Sequence, residues 1–298
     1  MRKKKAAGLE IIKFNEYVSP DAIKAGAAEA NRLGLPVTCH CLDVFLAAEA
    51  GFAGVEHHWG PGMTSIAGNS GYNFSVFLTV ASVKSAADLK GKKVGTGEPG
   101  STPDQLTRLA LRKLGLDPDR DLTLIPFDEG RNSDRVKNLL AGAIAGMIVT
   151  AESLYDLERS GQIGRFHKLA DNRELKLYAG GGADYAVAAS FLRDRREEVK
   201  KFMAGICAGI DLARREKAKA LAFVARSGRN LEPAKIEYLY NLYMSEVIPA
   251  RPYVKVEGID LGIQMAGLVN PAARGLKPAD LIDTNVVPEL EKDDRCNF

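Results

Sequence analysis

Lys92-Lys93-Val94-Gly95-Thr96-Gly97-Glu98-Pro99-Gly100-Ser101-Thr102-Pro103-Asp104-Gln105 reads as a short strand, a glycine-rich turn and the opening of a helix. Thr102 suits the N-cap, and Pro103 the first helical position, where a missing N–H costs nothing. Apolar residues recur at helical spacing through Leu106, Leu109, Ala110 and Leu114 until Gly115 ends the run. Backbone N–H groups without intrahelical partners, and the positive end of the helix dipole, would then face outward above Gly100, Ser101 and Thr102. That is a seat for an anion or carboxylate.

The same letters spell Gly95-x-Gly97-x-x-Gly100, the outline of a dinucleotide fingerprint. In a nucleotide-binding turn the helix opens between the second and third glycines, and an acidic residue ends the next strand. Here Pro99 and Pro103 bracket the third glycine, and the acidic Asp128 and Glu129 come only after the apolar run 122–127. The reading is therefore a small-ligand seat and not a nicotinamide or flavin site.

Outward from this stretch, strands and helices alternate. Helix to Gly115, strand 122–127, helix 133–141, strand 145–150, helix 152–160 and a short strand near 167–169 follow in order. After Gly180-Gly181-Gly182 comes a strand at 185–189, and the remainder reads as helices at 195–215, 217–226, 232–244 and 257–268. Upstream, 10–14, 36–41 and 54–59 are strand-like, with helices at 19–34 and 43–50 between them. This β-α-β-α-β order fits parallel strands with right-handed crossovers. Residues 65–73, rich in Gly, Ser and Asn, read as a loose joint before an apolar strand at 74–80.

Composition narrows the function classes. The chain has 298 residues, 46% hydrophobic and 27% charged, with a net charge of +3 spread along it. No stretch approaches the roughly 18 consecutive apolar residues of a membrane span, and no basic patch points to nucleic acid. Arg2-Lys3-Lys4-Lys5 is followed by Ala6-Ala7-Gly8-Leu9-Glu10 in place of an apolar core, so it does not read as a secretion signal, and the sequence as written predicts a cytoplasmic location. Cys39 and Cys41 lie too close to bridge comfortably, while Cys207 and Cys296 lack a pairing pattern. The pattern fits a reducing compartment or simply buried thiols.

Two resemblances follow from particular residues. Ile11-Ile12-Lys13, Leu35-Pro36-Val37-Thr38-Cys39-His40 and Gly54-Val55-Glu56-His57 resemble the fourth, fifth and sixth strands of the amidohydrolase superfamily, metal-dependent hydrolases on a (β/α)8 barrel. The resemblance would place Lys13 at the bridging carboxylated lysine and His40 and His57 at metal ligands, with zinc as the cofactor. The histidines are His40, His57, His58 and His167, so the family's His-x-His pair is missing and no metal site or cofactor is expected.

The longer resemblance runs from about residue 74 onward. Val83-Lys84-Ser85-Ala86-Ala87-Asp88-Leu89-Lys90-Gly91-Lys92-Lys93-Val94-Gly95, then Pro99-Gly100-Ser101-Thr102 and Leu109-Ala110-Leu111-Arg112-Lys113-Leu114-Gly115-Leu116-Asp117-Pro118, carry it. They resemble the nitrate/sulfonate/taurine class of ABC-transporter solute-binding proteins, which share their fold with thiamine-pyrimidine synthases.

That resemblance implies an α/β, two-lobed periplasmic-binding-protein-like fold closing on a small, anionic organic ligand. Gly100, Ser101, Thr102, Thr150 and Glu152 would line the site. It also implies an extracytoplasmic monomer that meets a transporter permease and performs no chemistry. The chain then reads as a fusion of two fragments. Residues 1–66 would complete the first lobe, 74–91 and 183–298 would form the rest of it, and 92–182 the second lobe. Segments 74–82 and 183–189 would be paired hinge strands.

Overall fold

The computed structural model describes residues 12–14, 20–35, 37–39, 54–55, 63–72, 74–127, 132–178, 184–226, 231–269 and 271–297. Its centre is a five-stranded sheet. The strands are β5 (Ser75–Val80), β6 (Lys93–Thr96), β7 (Thr123–Pro126), β8 (Gly146–Thr150) and β9 (Phe166–Asp171), in the order β7-β6-β8-β5-β9. β6 runs parallel to β7 and β8, while β5 is antiparallel to β8 and β9. Helices α2 (Thr102–Lys113), α3 (Asn132–Leu140) and α4 (Ala151–Arg159) make the connections.

β5 is apolar along most of its length because it is covered on both faces. Phe77 packs with Val94, Leu109, Leu111, Leu177 and Leu261 on one face, whereas Val76 and Leu78 meet Leu139, Met147, Val149 and Leu157 on the other. The alternation of a pleated strand thus places α2 and helix α9 (Val256–Val269) on one side of the sheet and α3 and α4 on the other.

A second, antiparallel pair joins β4 (Met63–Gly68) to β10 (Asp184–Ala188). Against it pack helices α5 (Ala189–Asp194), α6 (Arg196–Arg215) and α10 (Val286–Lys292), through Ile66, Leu192, Val199, Met203, Val286 and Leu290. Helices α7 (Lys217–Arg226) and α8 (Pro233–Leu242) lie between α6 and α9 in sequence. At the N-terminal end, β1 (Ile12–Phe14), β2 (Val37–Cys39) and β3 (Gly54–Val55) form a parallel sheet in sequential order, with α1 (Pro20–Arg32) between the first two.

Three expectations are corrected. Residues 65–68 of the loose joint expected at 65–73 belong to strand β4. Ile66 and Ala67 are buried, Ser65 N–H bonds to Leu281 C=O at 2.7 Å, and Asp283 N–H bonds back to Ser65 C=O at 2.8 Å. Small polar residues suit this strand because chain lies on both its edges. The expected pairing of 74–82 with 183–189 does not occur, since β5 is a central strand of the large sheet and β10 pairs with β4. The segments that follow β4 and β9 meet instead at Tyr72 and Tyr178, which form an isolated antiparallel bridge and stack with ring centroids 5.1 Å apart.

Third, Cys207 and Cys296 are joined in a disulfide, with Cα atoms 5.4 Å apart across 89 residues of sequence. The pairing signal is absent locally because it is made by α10 and the turn after it folding back on α6.

Candidate functional site

From β6 the chain leaves through α2 to β7 on one side, then crosses back through α3 to β8 on the other side of β6. The segments after β6 and β8 therefore part at the carboxyl ends of two adjacent parallel strands. In open α/β sheets this switch point is where a crevice forms. It brings the Gly95–Thr102 turn and Thr150–Glu152 to the same edge of the sheet.

The turn is shaped by three glycines with different tasks. A Cβ at Gly95 would meet Ile144 Cδ1 at 2.6 Å, and one at Gly97 would collide with Ser101 Oγ and come within 2.9 Å of Pro103 Cβ. Gly100 has φ 84, a conformation costly to any residue with a side chain.

Ser101, not the expected Thr102, caps α2. Ser101 is extended (φ −69, ψ 161) and its Oγ accepts the Asp104 N–H at 3.4 Å, while Thr102 is already helical and exposed. Cap geometry, and not the helix boundary alone, decides this.

The outward-facing amides expected of this turn are in good part turned inward. Gly100 N–H bonds to Asp104 Oδ2 at 3.0 Å, and Ser101 N–H to Glu98 C=O at 3.0 Å. Gln105 Nε2 holds Gly100 C=O at 2.7 Å. Asp104, 3% exposed, also accepts from the Thr96 hydroxyl at 3.2 Å and from Arg108 Nε at 3.0 Å. Arg108 reaches on to Asp119 at 2.6 Å. Burial works against the Arg108 charge, but the hydrogen bonds to Asp119 and Asp104 outweigh it and hold the guanidinium above its ordinary pKa.

Thr102 is exposed at this turn, and its N–H opens the helix with no intrahelical acceptor. Sequence reading overlooked Asp104. The signal was present, since Ser101-Thr102-Pro103-Asp104 fits the capping-box spacing of a hydroxyl residue followed three positions later by an acid.

On the neighbouring strand, Thr150 caps α4, its Oγ1 accepting the Ser153 N–H at 3.4 Å. Glu152 is exposed in the first turn of that helix, where a carboxylate suits the helix dipole. Lys13 lies in β1 opposite Thr38. His40 and His57 lie outside the described residues. Among the described residues no three His, Cys, Asp or Glu gather as a metal site.

Two concavities lie elsewhere. One of about 340 Å³ runs over Val76, Leu78 and Phe166, and its cations are committed, Lys168 to Asp171 at 2.7 Å and Arg173 to Glu246 at 2.6 Å. The other, about 480 Å³, is bordered by Lys113, Tyr178, Asp260 and Gln264. Neither is lined by the β6–α2 turn or by Thr150.

Comparison with known proteins adds to this geometry. The family model described as NMT1/THI5 like matches residues 54–220. No curated protein sequence matches the chain. Among solved structures, the periplasmic aliphatic sulphonate binding protein SsuA from Escherichia coli is similar at 18% identity and TM-score 0.57. That alignment covers 94% of this chain and 92% of that one.

The alkanesulfonate-binding protein SsuA from Xanthomonas axonopodis pv. citri bound to MOPS is similar at 17% identity, TM-score 0.53, with 93% and 96% covered. The desulfurization enzyme DSZB is similar at 10% identity, TM-score 0.56, with 96% and 100% covered. The fold is thus the periplasmic-binding-protein-like α/β fold.

Proposed function

The chain belongs to the NMT1/THI5-like family, and from that premise we propose that it is a solute-binding protein of the ABC-transporter type. It captures a small anionic organic molecule at the crevice between the β6–α2 turn and the start of α4. Gly100, Ser101, Thr102, Thr150 and Glu152 border that crevice. The observation that carries this reading is the switch point itself, where two adjacent parallel strands end in capped helix N-termini on one sheet edge.

Sulfonate-binding proteins of the same fold support an oxyanion headgroup as the ligand class. The five-stranded sheet would be the heart of one lobe and the β4–β10 layer of the other, with the ligand between them. The Cys207–Cys296 disulfide supports an extracytoplasmic location, where such bonds persist, and a permease as the receiving partner follows from the transporter role.

A thermal-shift screen against sulfonates, carboxylates, pyrimidines and nitrate tests the proposal. A ligand at 100 times its dissociation constant adds about 2.7 kcal/mol of stability. A screen in which no anion moves the transition would count against the reading.

A second reading, an amidohydrolase relic, draws on one observation: β1, β2 and β3 pair in parallel and in sequential order, as consecutive strands of a barrel do. Zinc bound stoichiometrically and lost on changing His40 and His57 to Ala would favour it.

A further inference from the structure

We infer that the cleft between β9, α4 and the turn after α8 is a second binding site, which takes a primary ammonium carried on a small apolar body. The cleft lies on the α3 and α4 face of the large sheet, and neither the β6–α2 turn nor Thr150 lines it. It encloses about 340 Å³, room for a ligand of modest size. Val76 and Leu78 form its buried floor, and Phe74, Leu154, Phe166 and Leu242 its half-buried walls. An apolar body that displaces water from these side chains gains by burial.

Charge at the rim sets the sign of the ligand. The lining groups are Glu158, Asp171 and Glu246 against Lys168 and Arg173. Both cations are already shared. Lys168 meets Asp171 at 2.7 Å and Glu174 at 3.1 Å, and Arg173 meets Glu246 at 2.6 Å and Asp171 at 3.5 Å. With Glu174 included, four carboxylates stand against two cations, so the surplus is negative. The neighbouring Tyr238 phenol responds to it. Burial first, then the charge and hydrogen bond of Glu158 and the charge of Glu246, push it up to about 12.

Glu246 marks the place of the ammonium. It stands in the π-helical turn Tyr243–Val247 that follows α8, a rare backbone form. Its Oε2 is buried and accepts no hydrogen bond, although Arg173 Nη1 lies 2.6 Å away. A buried carboxylate oxygen left so is costly, and an ammonium entering the cleft supplies the missing donor. An anion would meet the surplus carboxylates instead.

The test is isothermal titration of the full chain at pH 7 with phenethylamine and its neutral isostere 2-phenylethanol. Wild-type protein should bind one phenethylamine per chain and prefer it to the alcohol on the order of tenfold, as a charge-assisted hydrogen bond exceeds a neutral one. Glu246→Gln should shrink that preference about threefold or more. Arg173→Gln removes the cation shared by Glu246 and Asp171 and should widen it. Leu154→Trp fills the cleft and should abolish binding of either ligand.

A purely structural Arg173–Glu246 pair would shift both ligands together and leave their ratio unmoved in both variants, which overturns the inference. No saturable binding of phenethylamine by the wild type, equal affinity for amine and alcohol, or undiminished binding by folded Leu154→Trp would do the same. If Glu246→Gln fails to fold, the direction of the ratio in Arg173→Gln decides, since Arg173 is exposed.

Discussion

Ser101 and Thr102 differ by one position, and that position decides what each contributes. Ser101 satisfies the Asp104 N–H as the cap of α2, whereas the Thr102 side chain stands exposed on the first turn. Ser101→Ala should cost about 1 kcal/mol of stability through the lost cap. Thr102→Ala should leave stability within about 0.5 kcal/mol while weakening ligand binding. Urea unfolding of both variants checks the contrast, and equal losses would contradict the observed cap.

Gly97 is the more severe position. A methyl group there runs into Ser101 Oγ and Pro103 Cβ at the point where β6 hands over to α2. Gly97→Ala should destabilise by about 1–3 kcal/mol, the range for overpacking, in thermal or denaturant melts. Gly100→Val would be an ambiguous probe of ligand approach, because its positive φ strains the backbone whether or not a ligand is present.

Among elements, α10 is fastened to α6 more firmly than any periodicity in either helix implies. Arg196 bonds to Glu289 at 2.7 Å and Asp283 at 2.8 Å, and Lys200 meets Asp293 at 2.7 Å. Hydrogen bonds to Glu289 and Asp283 raise the Arg196 pKa, and Asp293 does the same for Lys200. Glu289 is lowered by the Arg196 hydrogen bond and Asp293 by that of Lys200, while for Asp283 burial pushes upward and is overcome by Arg196.

Carboxylates depressed in the folded state lend stability that is complete above their unfolded values and is lost as the pH falls through the folded ones. The loss should therefore begin near the ordinary 4.5 of Glu and 3.8 of Asp and continue below them. Arg196→Gln should cost about 1–3 kcal/mol at pH 7 and flatten this acid limb. Denaturant melts from pH 7 to pH 3 would show whether the two curves converge at low pH. Parallel curves would mean that the network does not set the acid response.

At the scale of the whole molecule the disulfide closes a long loop. Cys207 and Cys296 are both fully buried, in the core that also holds Ile66, Met203 and Leu290. With 89 residues between the cysteines, constraint of the unfolded chain is worth about 4–5 kcal/mol in the loop-entropy account. The Cys207→Ser, Cys296→Ser double variant should melt well below the wild type. Reductant should lower the wild-type midpoint only once unfolding exposes the bond. A double variant as stable as the wild type would show that packing alone holds the C-terminal segment.

The segments that follow β4 and β9 meet at the stacked Tyr72 and Tyr178, and if the protein closes on its ligand the molecule should become more compact. Small-angle scattering should report compaction on addition of a bound anion. Unchanged dimensions would argue for a rigid crevice.

Sequence alone determined the repeating strand–turn–helix units from β6 to β9 and the helical run after β10, because each is written in local periodicity and in caps. It also placed the Gly100–Thr102 turn after one strand and Thr150 at the end of another, since glycine turns and strand ends are short-range signals, whereas the adjacency of those strands is decided by the sheet. Only the tertiary structure decided that Asp104 fills the turn from behind, because a carboxylate in a first helical turn can equally face water. Long-range contacts likewise made 63–68 a strand, joined Cys207 to Cys296 and seated β5 between β8 and β9 in the large sheet. In each case the deciding partner lies tens of residues away, beyond the reach of local pattern, and burial against that partner selects among conformations that the local chain leaves nearly equal in energy.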